Sequence, residues 1–220
     1  MLWVVDNFYP NPDEIRERAL QLQFSSGQKP RKQGKHVMHP GWRHNTNVDP
    51  AWHENRIYLR NKWENITGIK CTDFEKQKSN CAFNIGFADR ENRFNWVHSD
   101  DTQQPEDSRM YACVIYLTPN PPQNTGTLLF EHKGSIYDEW VNPDKKLESG
   151  KYYPKFAGKY WDEPSIIDDD FHVHAIVGNR YNRCIIYEAN MLHAPEDAGF
   201  GTTLDDARLT QLGFWYGEQR

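Results

Sequence analysis

The hydrophobic and polar positions along this chain change period part-way through. The opening "LWVVDNFYP" is a short apolar run that predicts a strand over residues 3–9. "NPDEIRERALQLQF" then spaces Ile15, Ala19, Leu20 and Leu22 along one helical stripe, with Asn11 placed to cap and Pro12 in the first turn. Residues 25–50, "SSGQKPRKQGKHVMHPGWRHNTNVDP", show no sustained period and predict a long loop or irregular arm. Residues 51–68 predict a second helix. From about residue 80 the pattern shortens to strand-length runs: "CAFNIGFA", "RMYACVIYLTP", "TGTLLFEH", "FHVHAIVG", "NRCIIYEA" and "ARLTQLGFWY". Each is rich in β-branched and aromatic residues, and clusters of Pro, Gly, Asn and Asp separate them. The expectation is a mainly β core, sandwich or barrel, with helices at its N-terminal side. The whole chain, 1–220, reads as a single domain: residues 1–79 supply strand, helices and arm, and residues 80–216 the β core. A polar stretch at about 131–168 interrupts the core strands, and insertions of that length in a compact core commonly carry substrate contacts.

Composition narrows the class. With 26% charged and 37% hydrophobic residues, and no apolar run of spanning length, the expectation is a globular chain without a membrane partner. The N-terminus has no basic region and only a four-residue apolar run, so no signal peptide is expected. A net charge of -5 and a pI near 6.0 argue against nucleic acid as a partner. The four cysteines, Cys71, Cys81, Cys113 and Cys184, match no zinc spacing. Cys113 and Cys184 lie inside apolar runs and are expected as buried free thiols, which favours a reducing, cytoplasmic location.

Candidate chemistry begins at "NWVHSDD". His98 and Asp100 stand two residues apart, which in an extended chain puts both on one face. Alone, that pair fits a solvated turn as well as two-thirds of a metal site. Of the nine histidines, His36, His39, His44 and His53 precede the β core, and His172 and His174 alternate on one strand with no carboxylate following in register. The latter two are expected to be structural or pocket-lining. His193, in "MLHAPED", follows an apolar strand and can point into a barrel. Two His and one carboxylate suit non-haem Fe(II) and leave open coordination positions. Asp101 is assigned a supporting place, orienting His98. Fifteen residues beyond His193, Arg208 and Thr210 alternate onto one face of the last core strand. A buried arginine is costly without an anion, and its fork suits a carboxylate.

The ordered set of His98-x-Asp100, His193 and Arg208-x-Thr210 resembles the Fe(II)/2-oxoglutarate-dependent dioxygenases. "YLTPNPPQNTGTLLF", "NRCIIYEANMLHAPED" and "VVDNFYPNPDEIRERA" are similar to segments of the prolyl 4-hydroxylase-like branch. The resemblance covers residues 3–25 loosely and about 80–216 in order. It implies a double-stranded β-helix (a jelly roll, cupin-like) with helices packed on one side. It also implies His98, Asp100 and His193 as catalytic ligands of Fe(II), and 2-oxoglutarate as co-substrate with its far carboxylate on Arg208 and Thr210. The implied reaction uses O2 to hydroxylate an unactivated C–H bond of a peptidyl residue or small molecule, releasing succinate. Relatives carry a tyrosine for the co-substrate in the strand before His-x-Asp; here that strand reads "AFNIGFA", so Asn84 takes the place, with Tyr111 and Tyr116 as other candidates. Two rival readings keep the same ligands: a cupin-like metal-binding barrel without oxygenase activity, and a metal hydrolase or isomerase.

Overall fold

The computed structural model of the chain describes residues 1–31, 34–72, 74, 79–88, 97–100, 108–132 and 171–218. All of the expected insertion except residues 131 and 132 lies outside the described residues, as do Trp96 and Asp101. In chain order the elements are β1 (Leu2–Val5), α1 (Pro12–Leu20), β2 (Ser25–Arg31), β3 (Gly34–His44), a 3-10 turn (Pro50–Trp52), α2 (His53–Thr67), β4 (Cys71–Thr72), β5 (Phe83–Gly86), β6 (Ser108–Tyr116), β7 (Thr127–His132), β8 (Phe171–Val177), β9 (Cys184–Glu188), β10 (His193–Pro195) and β11 (Arg208–Glu218).

Two antiparallel sheets form the body. The larger runs β1-β9-β6-β11-β5-β3-β2, with β4 added beside β11, and the smaller runs β10-β7-β8. His98 extends the smaller sheet by a bridge to His193. The chain therefore alternates: β5 large, His98 small, β6 large, β7 and β8 small, β9 large, β10 small, β11 large. That alternation between facing sheets is a jelly roll, the double-stranded β-helix expected from the sequence.

The larger sheet is buried on both faces, and its strands show why. Along β6, Tyr111, Cys113 and Ile115 join one cluster with Ala19 of α1 and Leu59 and Trp63 of α2. Met110, Ala112 and Tyr116, on the alternate positions, join a second cluster with Leu129 and Val177 of the smaller sheet. β9 divides the same way, Cys184 and Ile186 toward the helices, Ile185 and Tyr187 toward the interior. Period two assigns each side chain to a layer. The helical layer is clamped by Trp63, whose ring stacks on Trp215 of β11 at 4.5 Å and 9°. This close approach needs Gly213, because a Cβ there would overlap the Trp63 ring.

The structure differs from expectation in three places. Residues 25–44 are not an irregular arm: β2 and β3 form a hairpin, and Trp42, Arg43 and His44 pair with Ile85, Asn84 and Phe83 of β5. Gly41, at φ +61°, lets β3 approach so closely that a Cβ would overlap the Ile85 carbonyl. The first strand ends at Val5, since Asn7 turns at φ 54° and sends Phe8 and Tyr9 into the core. Asn11 precedes α1 but makes no side-chain capping bond. All four cysteines are buried free thiols. No helix among the described residues is long and apolar enough to cross a membrane.

Candidate active site

His98, Asp100 and His193 converge at the interior side of the smaller sheet. One ligand atom from each lies within 4.8 Å of the others. Backbone pairing sets this convergence. His98 N donates to His193 O at 2.9 Å and His193 N to His98 O at 2.8 Å, while Asp100 N donates to Ala189 O at 2.8 Å. The two residues that the sequence spaced 95 positions apart are thus opposite partners in one ladder.

The His193 ring has a defined tautomer. Its Nδ1 lies 2.8 Å from the Met191 carbonyl. A carbonyl can only accept, so Nδ1 carries the proton and Nε2 is the atom turned to the site. Asp100 Oδ2 lies 3.3 Å from that Nε2, and its Oδ1 lies 3.6 Å from His98 Nε2. Burial pushes the Asp100 carboxyl up, but the charges and hydrogen bonds of the two imidazoles overcome it and hold the group well below the usual carboxylate range. Burial likewise lowers His193, and Asp100 with the Met191 carbonyl more than reverses that. Two imidazole nitrogens and one carboxylate at this spacing could hold a metal ion.

Arg208 and Thr210 open β11 on its interior face, since the alternate residues belong to the helical side: Leu209 joins the helical cluster and Gln211 donates to Asn55 of α2. Arg208 is 8% exposed and its Nε is buried without a hydrogen-bond partner; Thr210 is 1% exposed and its Oγ1 has none either. Burial lowers the Arg208 pKa, opposed by Tyr116, Asp197 and Tyr187. Its guanidinium carbon lies 5.7 Å from the Tyr116 ring centre, within reach of a cation–π contact. Orphaned buried polar groups of this kind are rare in folded proteins and call for an explanation.

The remaining candidates separate by face. Tyr116 points into the interior, its hydroxyl 2.6 Å from Thr127 Oγ1. Tyr111 points to the helical side, stacked on Trp215 at 5.8 Å, and cannot reach the interior. Asn84 pairs with Thr210 across the sheet, with its Oδ1 engaged by Arg43 Nε at 2.7 Å. His172 and His174 are exposed on edge strand β8, where His174 Nδ1 lies 3.7 Å from Glu131; neither joins the three-residue cluster.

Two interior residues escaped the sequence reading. Tyr187 is buried, its ring 4.8 Å from that of His193, and lies within electrostatic range of both Asp100 and Arg208. The alternation of "CIIYE" placed it on the interior face, but nothing marked it as different from core. Arg43 was assigned to the arm, where no period pointed to a wall.

Residues 1–214 match a family described as of unknown function, DUF6445. The chain belongs to that family. No protein of curated function matches it. Among solved structures, it is similar to a prolyl hydroxylase from Trichoplax adhaerens in complex with a hypoxia-inducible-factor oxygen-degradation-domain peptide, with a TM-score of 0.55, 12% identity, and coverage of 99% of this chain and 83% of that one. It is similar to SnoN, a non-haem α-ketoglutarate-dependent epimerase from nogalamycin biosynthesis, with a TM-score of 0.55, 11% identity, and coverage of 99% and 76%. It is also similar to HygX from Streptomyces hygroscopicus with nickel and 2-oxoglutarate bound, with a TM-score of 0.53, 11% identity, and coverage of 99% and 83%. At these identities the likeness establishes the shared jelly-roll fold of 2-oxoglutarate-dependent oxygenases.

Proposed function

We propose that this protein is an Fe(II)- and 2-oxoglutarate-dependent dioxygenase that hydroxylates an unactivated C–H bond of a peptidyl residue or small metabolite. One observation carries the reading: Arg208 Nε and Thr210 Oγ1 are buried, unpartnered, and face the same interior as His98, Asp100 and His193. A bare metal site does not require a buried cation beside it, and a diacid co-substrate does. The donor set fits the metal, because two imidazole nitrogens and one carboxylate suit non-haem Fe(II) and leave open positions. The oxygenases of like fold support the same choice, HygX in particular having been crystallised with 2-oxoglutarate.

The chain's own residues have separable tasks. His98 and His193 would each offer Nε2 to the metal, and the Met191 carbonyl fixes the His193 tautomer. Asp100 supplies the anionic ligand that balances part of a divalent charge. Arg208 holds the distal carboxylate of the co-substrate, with Thr210 donating a hydroxyl hydrogen bond beside it. Tyr116 and Tyr187 wall off the interior from water, which strengthens those charged contacts. When bound, the metal and the keto acid would supply the oxidising chemistry: 2-oxoglutarate is oxidised to succinate and carbon dioxide with one oxygen atom of O2, and the other oxygen atom enters the substrate's C–H bond as the new hydroxyl.

The test is an oxygen-free titration with Fe(II) and then 2-oxoglutarate, followed by succinate measurement once oxygen is admitted. Wild type is expected to bind both and release succinate. His98→Ala, Asp100→Ala and His193→Ala are each expected to lose metal affinity by about 10-fold or more while staying folded. Metal binding without 2-oxoglutarate binding would favour the hydrolase or simple binding-module reading instead.

A further inference from the structure

A second arginine faces the same interior, and the proposed chemistry gives it no task. Arg43 sits on β3, and one ladder row runs Arg43–Asn84–Thr210–Tyr116 across four neighbouring strands. Trp42 beside it packs into the helical cluster, so Arg43 points to the interior. Its partners are both neutral: Nε donates to Asn84 Oδ1 at 2.7 Å and Nη1 to Ser79 Oγ at 3.2 Å. No carboxylate among the described residues forms an ion pair with it. Burial lowers its pKa to about 10, and Asp100 is close enough to raise it again. A partly buried guanidinium within the field of the metal-ligand set, with Nη2 uncommitted, resembles Arg208 in lacking an anion.

We propose that Arg43 is the receiver for an anionic group of the primary substrate, and that this group is a carboxylate. The inference rests on the dioxygenase reading for which molecule occupies the other receiver. Two strand spacings separate Arg43 from Thr210, roughly 10 Å. A five-carbon diacid with one end at the metal and the other on Arg208 leaves Arg43 unserved. Charge selects the carboxylate over a phosphate. One guanidinium is neutralised by one negative charge, whereas a dianion would leave excess negative charge near Asp100. The uncommitted end of the fork suits a planar two-oxygen group. Asn84 then acts as a positioning residue: its Oδ1 accepts from Arg43 Nε, Ser79 Oγ accepts from Nη1, and Nη2 is left for the ligand.

The probe is acetate, with inorganic phosphate as the second arm. Wild type, Arg43→Gln and Arg43→Lys are loaded with Mn(II) and saturated with 2-oxoglutarate, and the paramagnetic relaxation of the acetate methyl protons is measured. Wild type is expected to enhance that relaxation, Arg43→Gln to reduce the enhancement by about tenfold, and Arg43→Lys to fall between, since an ammonium keeps the charge and loses the fork. Phosphate is expected to show no such difference between wild type and Arg43→Gln. Equal acetate enhancement in wild type and Arg43→Gln, or none in either, overturns the proposal; a preference for phosphate overturns the carboxylate assignment. The affinity for 2-oxoglutarate is read on the same samples and is expected to be unchanged in Arg43→Gln; a large loss there would make Arg43 the co-substrate's receiver and overturn the inference. If wild type binds no 2-oxoglutarate, the dioxygenase reading falls, and the acetate comparison repeated with Mn(II) alone still judges Arg43. If Arg43→Gln does not fold, Arg43→Lys against wild type decides.

Discussion

Replacing Arg208 by methionine keeps much of the side-chain volume and removes the charge. In the ligand-free protein Arg208 is 8% exposed, with an unpartnered Nε. A buried cation without an anion is a net cost, so Arg208→Met should stabilise the ligand-free protein, on the order of 1 kcal/mol. With 2-oxoglutarate the sign reverses. The lost contact is buried and charge-assisted, so binding should weaken by about 3–5 kcal/mol, roughly two to four decades in affinity. Urea unfolding of the Fe(II)-loaded protein without oxygen reads both effects in one series. Co-substrate at one hundred times its Kd should stabilise wild type by about 2.7 kcal/mol and leave the variant near its ligand-free value. Arg208→Lys should recover only part of the difference, since it lacks the fork. Thr210→Val should cost about 1–2 kcal/mol of binding, the scale of one hydrogen bond to a charged group. The reasoning fails if Arg208→Met loses stability without ligand, which would make the cation a structural element, or if 2-oxoglutarate stabilises both proteins equally.

Two further predictions concern the scaffold. Gly213→Ala puts a Cβ into the Trp63 ring and close to Cys113 Sγ, so it should cost about 1–3 kcal/mol by overpacking, read as a lower urea midpoint at unchanged slope. Asp6 accepts from Arg183 Nε at 2.6 Å and Nη2 at 3.1 Å, and from Arg180 at 3.0 Å; hydrogen bonding by Arg183 leads the causes that hold its pKa below the ordinary 3.8, against opposing burial. Because the folded value is the lower one, this contribution is present above the unfolded pKa and is lost as pH falls through the folded pKa. Asp6→Asn should therefore lower stability at neutral pH by about 1 kcal/mol or less, given its partial exposure, and the gap to wild type should close in acid; a gap independent of pH would refute the pairing.

The core and the site were legible in the sequence to different degrees, for reasons visible in single residues. β6, β9 and β11 could be read because both faces of the larger sheet are covered, so each strand is a long β-branched and aromatic run bounded by turn residues. The hairpin of β2 and β3 could not. Its Lys, Gln, Gly and Pro have low strand propensity, and its pairing with β5 is made by backbone at Trp42, Arg43 and His44. Three alternating residues are too short a signal to separate a strand from a loop. β10, only His193–Pro195, is shorter than any pattern can detect, although His193 itself was picked out by position. The same alternation explains why Arg208 was found and Arg43 was not. In β11 the arginine opens a strand whose later residues, Leu212, Phe214 and Trp215, are apolar, so a cation on its interior face is visible against them. In β3 the surrounding composition is already polar, so an equally placed cation has no background to violate. Local rules fail most informatively where the rest of the element obeys them. Both arginines face the interior that holds His98, Asp100 and His193, and neither forms an ion pair with a carboxylate among the described residues. Arg43 finds two neutral acceptors and Arg208 lies over the Tyr116 ring, but those contacts do not neutralise either cation. An incoming anion at each position would turn the cost of burying the cation into binding energy, and so these two arginines mark where ligands should be sought.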